Sequence, residues 1–162
     1  MEWLGIAAIF VAFCFGLVVF VGPPYLPTLD PQMHLALDML ALKKGQTMLE
    51  LGCGDGKVLV AAARRGWNVV GYELNPLLVV LCWIRTRRYR KQVRVVWGNF
   101  WLTTWPQADG IFGFVLPRYM KKLDKKVMQW RKKPLRLASF AFAIPDRHPL
   151  REEKGVFLYE YK

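Results

Sequence analysis

The stretch MLELGCGDGKVLVAAARRG, residues 48–66, carries glycines at 52, 54 and 56 between an apolar run and an alanine-rich one. Side chains given up at three alternate positions leave bare main chain, which permits positive φ and lets a large group lie against the turn. Two carboxylates accompany it: Glu50 just before the turn, and Glu73, 21 residues beyond Gly52. Two phosphate-binding patterns share this glycine richness, and neither fits. The dinucleotide fingerprint G-x-G-x-x-G requires a third glycine at 57, where Lys57 stands. The phosphate loop requires Ser or Thr after Gly-Lys, and Val58 follows Gly56-Lys57.

Such a turn needs a strand before it and a helix after it. Residues 47–51 form a short apolar run suited to a buried strand, and residues 56–65 read as the helix that follows. Residues 68–72 read as a second strand ending at Glu73, and Pro76 opens a long helix, PLLVVLCWIRTRRYRK. Further strands are predicted at 93–97, 110–116, 135–143 and 155–161, the last of them antiparallel, with a basic helix from Pro117 to about residue 132. Upstream, PQMHLALDMLAL (31–42) reads as a helix with Asp30 as N-cap and Lys43-Lys44-Gly45 at its end. Strands alternating with helices predict a doubly wound α/β fold. Its mostly parallel sheet is covered on both faces, and the ligand sits at the carboxyl ends of the strands.

The amino end has a different character. Residues 3–21, WLGIAAIFVAFCFGLVVFV, carry no charge, and neither does any residue between Glu2 and Asp30. A bilayer core of ~30 Å needs about 20 such residues in a helix, so a single transmembrane anchor is expected over 1–21. A cleaved signal peptide would want a positive start and small residues at the cut, and this segment has neither. GPPYLPTLDP, with four prolines, stops the anchor helix. Residues 22–46 are thus assigned as linker and pre-core helix, and 47–162 as the main domain.

The chain has 24 Lys and Arg against 12 Asp and Glu, a net charge of +12. Positive charge stays on the cytoplasmic side, so the domain is expected on the cytoplasmic, or organelle-interior, face of the membrane. One basic run joins Arg85, Arg87, Arg88, Arg90, Lys91 and Arg94, with Trp83, Tyr89 and Trp97 interleaved. A second occupies residues 121–133. Beside an anchor these suit anionic headgroups, and nucleic acid is the less favoured partner. Cys14, Cys53, Cys82, His34 and His148 offer no metal-ligand spacing, so no metal is expected.

E-x-G-x-G-x-G, from Glu50 to Gly56, resembles the first motif of the class I S-adenosylmethionine-dependent methyltransferases. The resemblance implies a Rossmann-like fold with S-adenosyl-L-methionine as cofactor. Gly52, Cys53, Gly54 and Gly56 would then line it, and Glu50 would face its positively charged amino-acid end. Asp55 would cap the next helix or meet that end through water. Glu73, with Leu74 beside it, would accept from both ribose hydroxyls. Asn99, with Phe100 beside it, would accept from the adenine amino group where this class usually has Asp. PYLPT (24–28), GYELNP (71–76) and FVLP (114–117), taken with that motif, resemble a narrower family of small membrane-anchored members. It includes the mitochondrial lysine methyltransferases of the adenine nucleotide translocase and the ATP synthase c-subunit, with prokaryotic relatives.

Such a resemblance implies a protein lysine as methyl acceptor beside a membrane, with Tyr25 and Thr28 near the acceptor entrance. Methyl transfer to an amine is an in-line displacement that rests mainly on alignment and on a deprotonated lysine. No general base follows from the motifs, and Tyr119 and Asp146 are the candidates. Two departures stand out: Asn99 replaces the usual acid, and the short carboxyl end leaves six recognisable strands where this class commonly has seven. A lipid or quinone-like acceptor, and a non-catalytic adenosylmethionine-binding membrane protein, are the alternative readings.

Overall fold

A computed structural model of the chain describes residues 3–6 and 28–162. Five parallel strands form the centre of the sheet: β1 (Thr47–Leu51), β2 (Asn68–Glu73), β3 (Val93–Trp97), β4 (Gly110–Gly113) and β5 (Leu135–Phe140). The order is β3-β2-β1-β4-β5-β7-β6, where β6 is Arg151–Glu153 and β7 is Val156–Tyr161. β7 runs antiparallel to β5, and β6 antiparallel to β7. The strand order reverses between β1 and β4. That is the topological switch point, where an open α/β sheet binds ligands.

Helices cover both faces. One face buries Met48 and Val69 with Leu37 and Leu40 of α1 (Asp30–Leu40), Leu59 and Ala62 of α2 (Lys57–Arg64), and Cys82 of α3 (Pro76–Thr86). The other buries Leu49, Leu51, Ile111 and Tyr159 with Met120, Leu123 and Val127 of α4 (Pro117–Trp130). The alternation of Met48 and Leu49 between the two faces is the period of a strand buried on both sides.

Several expectations need correction. The sheet has seven strands rather than six, because the charged triplet Arg151–Glu153 pairs with β7 through its backbone. Leu29, with extended backbone, is the N-cap of α1, and Asp30 lies inside the first turn. There its carboxylate favours the positive end of the helix and pairs with Lys57. The helix ends at Ala41, left-handed at φ 49°, and Lys43–Gly45 belong to the following turn. α1 also packs into the core through Met33, Ala36, Leu37, Met39 and Leu40. The long third helix stops at Thr86, whose hydroxyl donates to the Cys82 carbonyl at 2.7 Å, and Arg87–Tyr89 tighten into a 3₁₀ turn.

Among the described residues no helix is long and apolar enough to cross a membrane. The anchor expected over 1–21 lies, apart from residues 3–6, outside the described residues.

Candidate active site

The glycine turn leaves β1 at the switch point, and its donors are turned inward. The N–H groups of Gly52 and Cys53 donate to the Tyr72 carbonyl at 3.0 and 2.8 Å, and that of Gly54 donates to Glu73 Oε2 at 2.9 Å. The glycines answer different needs. Gly52 sits at φ 87° with open space where a Cβ would stand, a cradle facing outward. Gly56 sits at φ 81°, and a Cβ there would meet Cys82 Sγ at 2.5 Å. Packing against α3 alone excludes a side chain at that position.

Glu50 lies beneath this turn, 3% exposed, and its Oε2 is buried without a hydrogen-bond partner. Burial pushes its pKa well above the ordinary 4.5, and the nearby Cys82, Asp55 and Glu73 groups push the same way. A buried carboxyl without a partner is costly, and a bound cation would satisfy it. Glu73, at the tip of β2, is also buried. Its Oε1 accepts from the N–H groups of Leu74 and Asn75, both at 2.8 Å. With Gly54 on Oε2, three of about four lone-pair positions are taken. One ribose hydroxyl can therefore be accepted without loss, whereas a second must displace Gly54 N–H.

Asp55 Oδ1 accepts from Lys57 N–H at 3.2 Å, although the N-cap of α2 is Gly56 rather than Asp55, and Oδ2 pairs with Arg85. Cys53 is buried with its sulfur 3.9 Å from Cys82 Sγ. The Cys82 contact, and burial after it, push its thiol pKa well above the usual range. Asn99 Oδ1 already accepts from Trp101 N–H at 2.9 Å. That bond takes one of the two lone pairs of the amide oxygen, and the other stays open to a donor such as the adenine amino group. Phe100 is half-buried and packs on Trp101, ring centroids 4.7 Å apart. Thr28 lies beside the turn, its carbonyl accepting from Lys57 Nζ at 3.3 Å. Tyr25 lies outside the described residues.

Residues 50–151 match the family described as the ANTKMT methyltransferase domain. The chain belongs to this family. The matched span opens on Glu50 and closes at the start of β6. The ANTKMT domain here is 31% identical over 130 residues to the human lysine N-methyltransferase of the ATP synthase c-subunit, covering 78% of this chain and 54% of that protein. It is 28% identical over 149 residues to a protein-lysine N-methyltransferase of Saccharolobus islandicus (strain REY15A), covering 84% of this chain and 92% of that one. The chain thus spans about half the length of the human relative. Among solved structures, an RNA methyltransferase from Salinibacter ruber in complex with S-adenosyl-L-homocysteine superposes with a TM-score of 0.77 at 23% identity, over 84% of this chain and 92% of that one. The fold is the Rossmann-like methyltransferase fold.

Two features of this ANTKMT domain were missed in the sequence. Gly71 of the GYELNP stretch is required by packing, since a Cβ there would lie 2.8 Å from both Cys53 Sγ and Leu59 Cδ1. Phe114, Phe140 and Phe142 form an aromatic wall just past the carboxyl ends of β4 and β5, with centroids 4.9 and 6.1 Å from Phe114. Leu51 pairs with Gly113, so this wall stands on the β4 side of the glycine turn. Aromatics close to each strand end were its only signal. Of the two base candidates, Tyr119 is half-buried against Trp101 at 5.8 Å, and Asp146 is exposed and paired with Lys121 at 2.8 Å. Among the described residues, the side chains of these two make no hydrogen bond to Glu50 or Glu73.

Proposed function

We propose that the protein is an S-adenosylmethionine-dependent protein-lysine N-methyltransferase. The observation that carries this reading is the buried, unpartnered Glu50 carboxyl beneath the open cradle of Gly52, with Glu73 at the next strand tip. An orphaned acid fits the ammonium of the methionyl end, and the open lone pair of Glu73 fits a sugar hydroxyl. Asn99 and Phe100 would flank the adenine, Asn99 accepting from its amino group through the open lone pair of Oδ1. The bound cofactor supplies a methyl group on a positively charged sulfur.

This chain's own residues supply binding and alignment. Glu50 and Glu73 fix the two ends of the cofactor, and the Phe114–Phe140–Phe142 wall excludes water on the side where β4 ends. Desolvation there disfavours an ammonium, so the lysine arrives as the nucleophilic amine. Lysine as acceptor is supported by the names of the human and Saccharolobus relatives. We further assign residues 3–21 to a membrane anchor, with the domain on the cytoplasmic or organelle-interior face, on the strength of their charge-free sequence and the net charge of +12.

Incubating membranes and the purified protein with methyl-labelled S-adenosylmethionine tests the reading. Acid hydrolysis of labelled protein bands should release methyl-lysine. Label confined to the organic extract would assign a lipid or quinone-like acceptor instead. Cofactor binding with no label in either fraction would leave a non-catalytic protein.

A further inference from the structure

From Leu77 to Ile84, α3 is apolar all the way round. Its inward side, Leu78, Val79, Cys82 and Thr86, is buried against the sheet. Its outward side carries Val80, Leu81, Trp83 and Ile84, which remain 48–55% exposed. Positions 77, 80, 81 and 84 form one stripe at helical spacing, with Trp83 along its edge. A helix lying on a sheet and facing water should be polar on its outer side; one apolar on both sides has a second apolar surface to meet.

Charge says which surface. No Asp or Glu stands between Glu73 and Asp109, while Arg85, Arg87, Arg88, Arg90, Lys91 and Arg94 all do. Arg85 is engaged with Asp55, but among the described residues no acid pairs with Arg87, Arg88, Arg90 or Lys91. The stripe therefore ends in a dense, unneutralised cationic rim. A second copy of this chain would set that rim against itself, since a two-fold interface brings like patches together. A bilayer with anionic headgroups matches both halves. Apolar side chains, the indole of Trp83 among them, enter the headgroup–acyl boundary, and arginines reach back to the phosphates.

We propose that the outward face of α3 is an interfacial membrane-contact surface that lies in an anionic lipid leaflet. It deepens the membrane location assigned above and rests on it, yet uses residues separate from the anchor. The two can therefore fail independently.

Fluorescence of the full chain on vesicles of phosphatidylglycerol and phosphatidylcholine with brominated acyl chains reads this directly. The difference between the wild-type protein and Trp83→Phe isolates the emission of Trp83 from that of the other tryptophans. The expected result is a blue-shifted Trp83 component quenched by the acyl bromines. That quenching should be lost in Ile84→Glu and strongly reduced in the double variant Arg87→Glu/Arg88→Glu, with cofactor binding unchanged in both. Should Ile84→Glu fail to fold, judged by circular dichroism, the arginine variant carries the test. A chain that pellets with vesicles while acrylamide quenches Trp83 as freely as in solution would overturn the α3 assignment and leave the anchor standing. Protection of Trp83 that rises with protein concentration in the absence of lipid would assign the face to chain–chain contact and overturn it too. A chain that fails to pellet at all would overturn both.

Discussion

Glu50 serves binding at the expense of the ligand-free fold. Its carboxyl is buried without a partner and its pKa is held well above 4.5. In the unfolded chain it ionises near that ordinary value, while in the fold it keeps its proton to higher pH. Its contribution to stability is thus fully present below about pH 4.5 and is lost as pH rises toward the raised value. Glu50→Gln should flatten this decline, leaving the ligand-free protein more stable above about pH 5 in thermal melts followed by circular dichroism. The same variant should bind S-adenosylmethionine more weakly. Calorimetry in two buffers of different ionisation enthalpy is expected to show proton release on cofactor binding for the parent and to lose it in the variant. Glu73→Ala is expected to weaken cofactor binding by roughly 1–3 kcal/mol, since a buried charged acceptor is lost and Gly54, Leu74 and Asn75 are left without theirs. Calorimetry showing unchanged affinity would remove Glu73 from the ribose. Both acids are legible in the sequence, because spacing after a glycine turn and at a strand end is one-dimensional. What each oxygen already holds is not. At Asn99 the fold has already given one of the two lone pairs of Oδ1 to Trp101 N–H.

At the scale of elements, the turn and α3 are built for one another. Gly56 faces Cys82, and Gly71 faces the Cys53 that packs beneath the turn. Gly56→Ala should destabilise the domain twice over, by roughly 1–2 kcal/mol for a non-glycine residue at positive φ and further for the 2.5 Å approach to Cys82 Sγ. Adding Cys82→Ala should recover part of the steric share and none of the backbone share. A denaturant-melt double-mutant cycle with zero coupling would show that the two elements do not meet there. The strands and helices that lie in apolar runs were readable, since burial on both faces demands such runs. β6 was not. Arg-Glu-Glu has no apolar alternation, and it becomes a strand because Lys154 and Gly155, at φ 48° and 76°, fold the chain back onto β7. The end of α1 was equally hidden, because nothing in the composition marks Ala41 as left-handed.

For the molecule as a whole, removal of residues 1–21 should leave S-adenosylmethionine affinity intact. The shortened chain should be released from vesicles at high salt, with α3 holding it only weakly on anionic vesicles at low salt. Sedimentation of the truncated chain at high salt would refute the anchor. The attachment of α1 beside the glycine turn sets a further constraint. Lys57 binds the Thr28 carbonyl and the Asp30 carboxylate, which pins the start of the described fold to the rim of the site. Seven Cα–Cα steps, from 21 to 28, separate Thr28 of that clasp from the last position of the proposed span. Even fully extended they reach only ~25 Å. The proposed anchor would act as a short leash. Methylation would then be confined to lysines within a shallow layer above the bilayer, and those lifted higher on otherwise identical substrates would escape it.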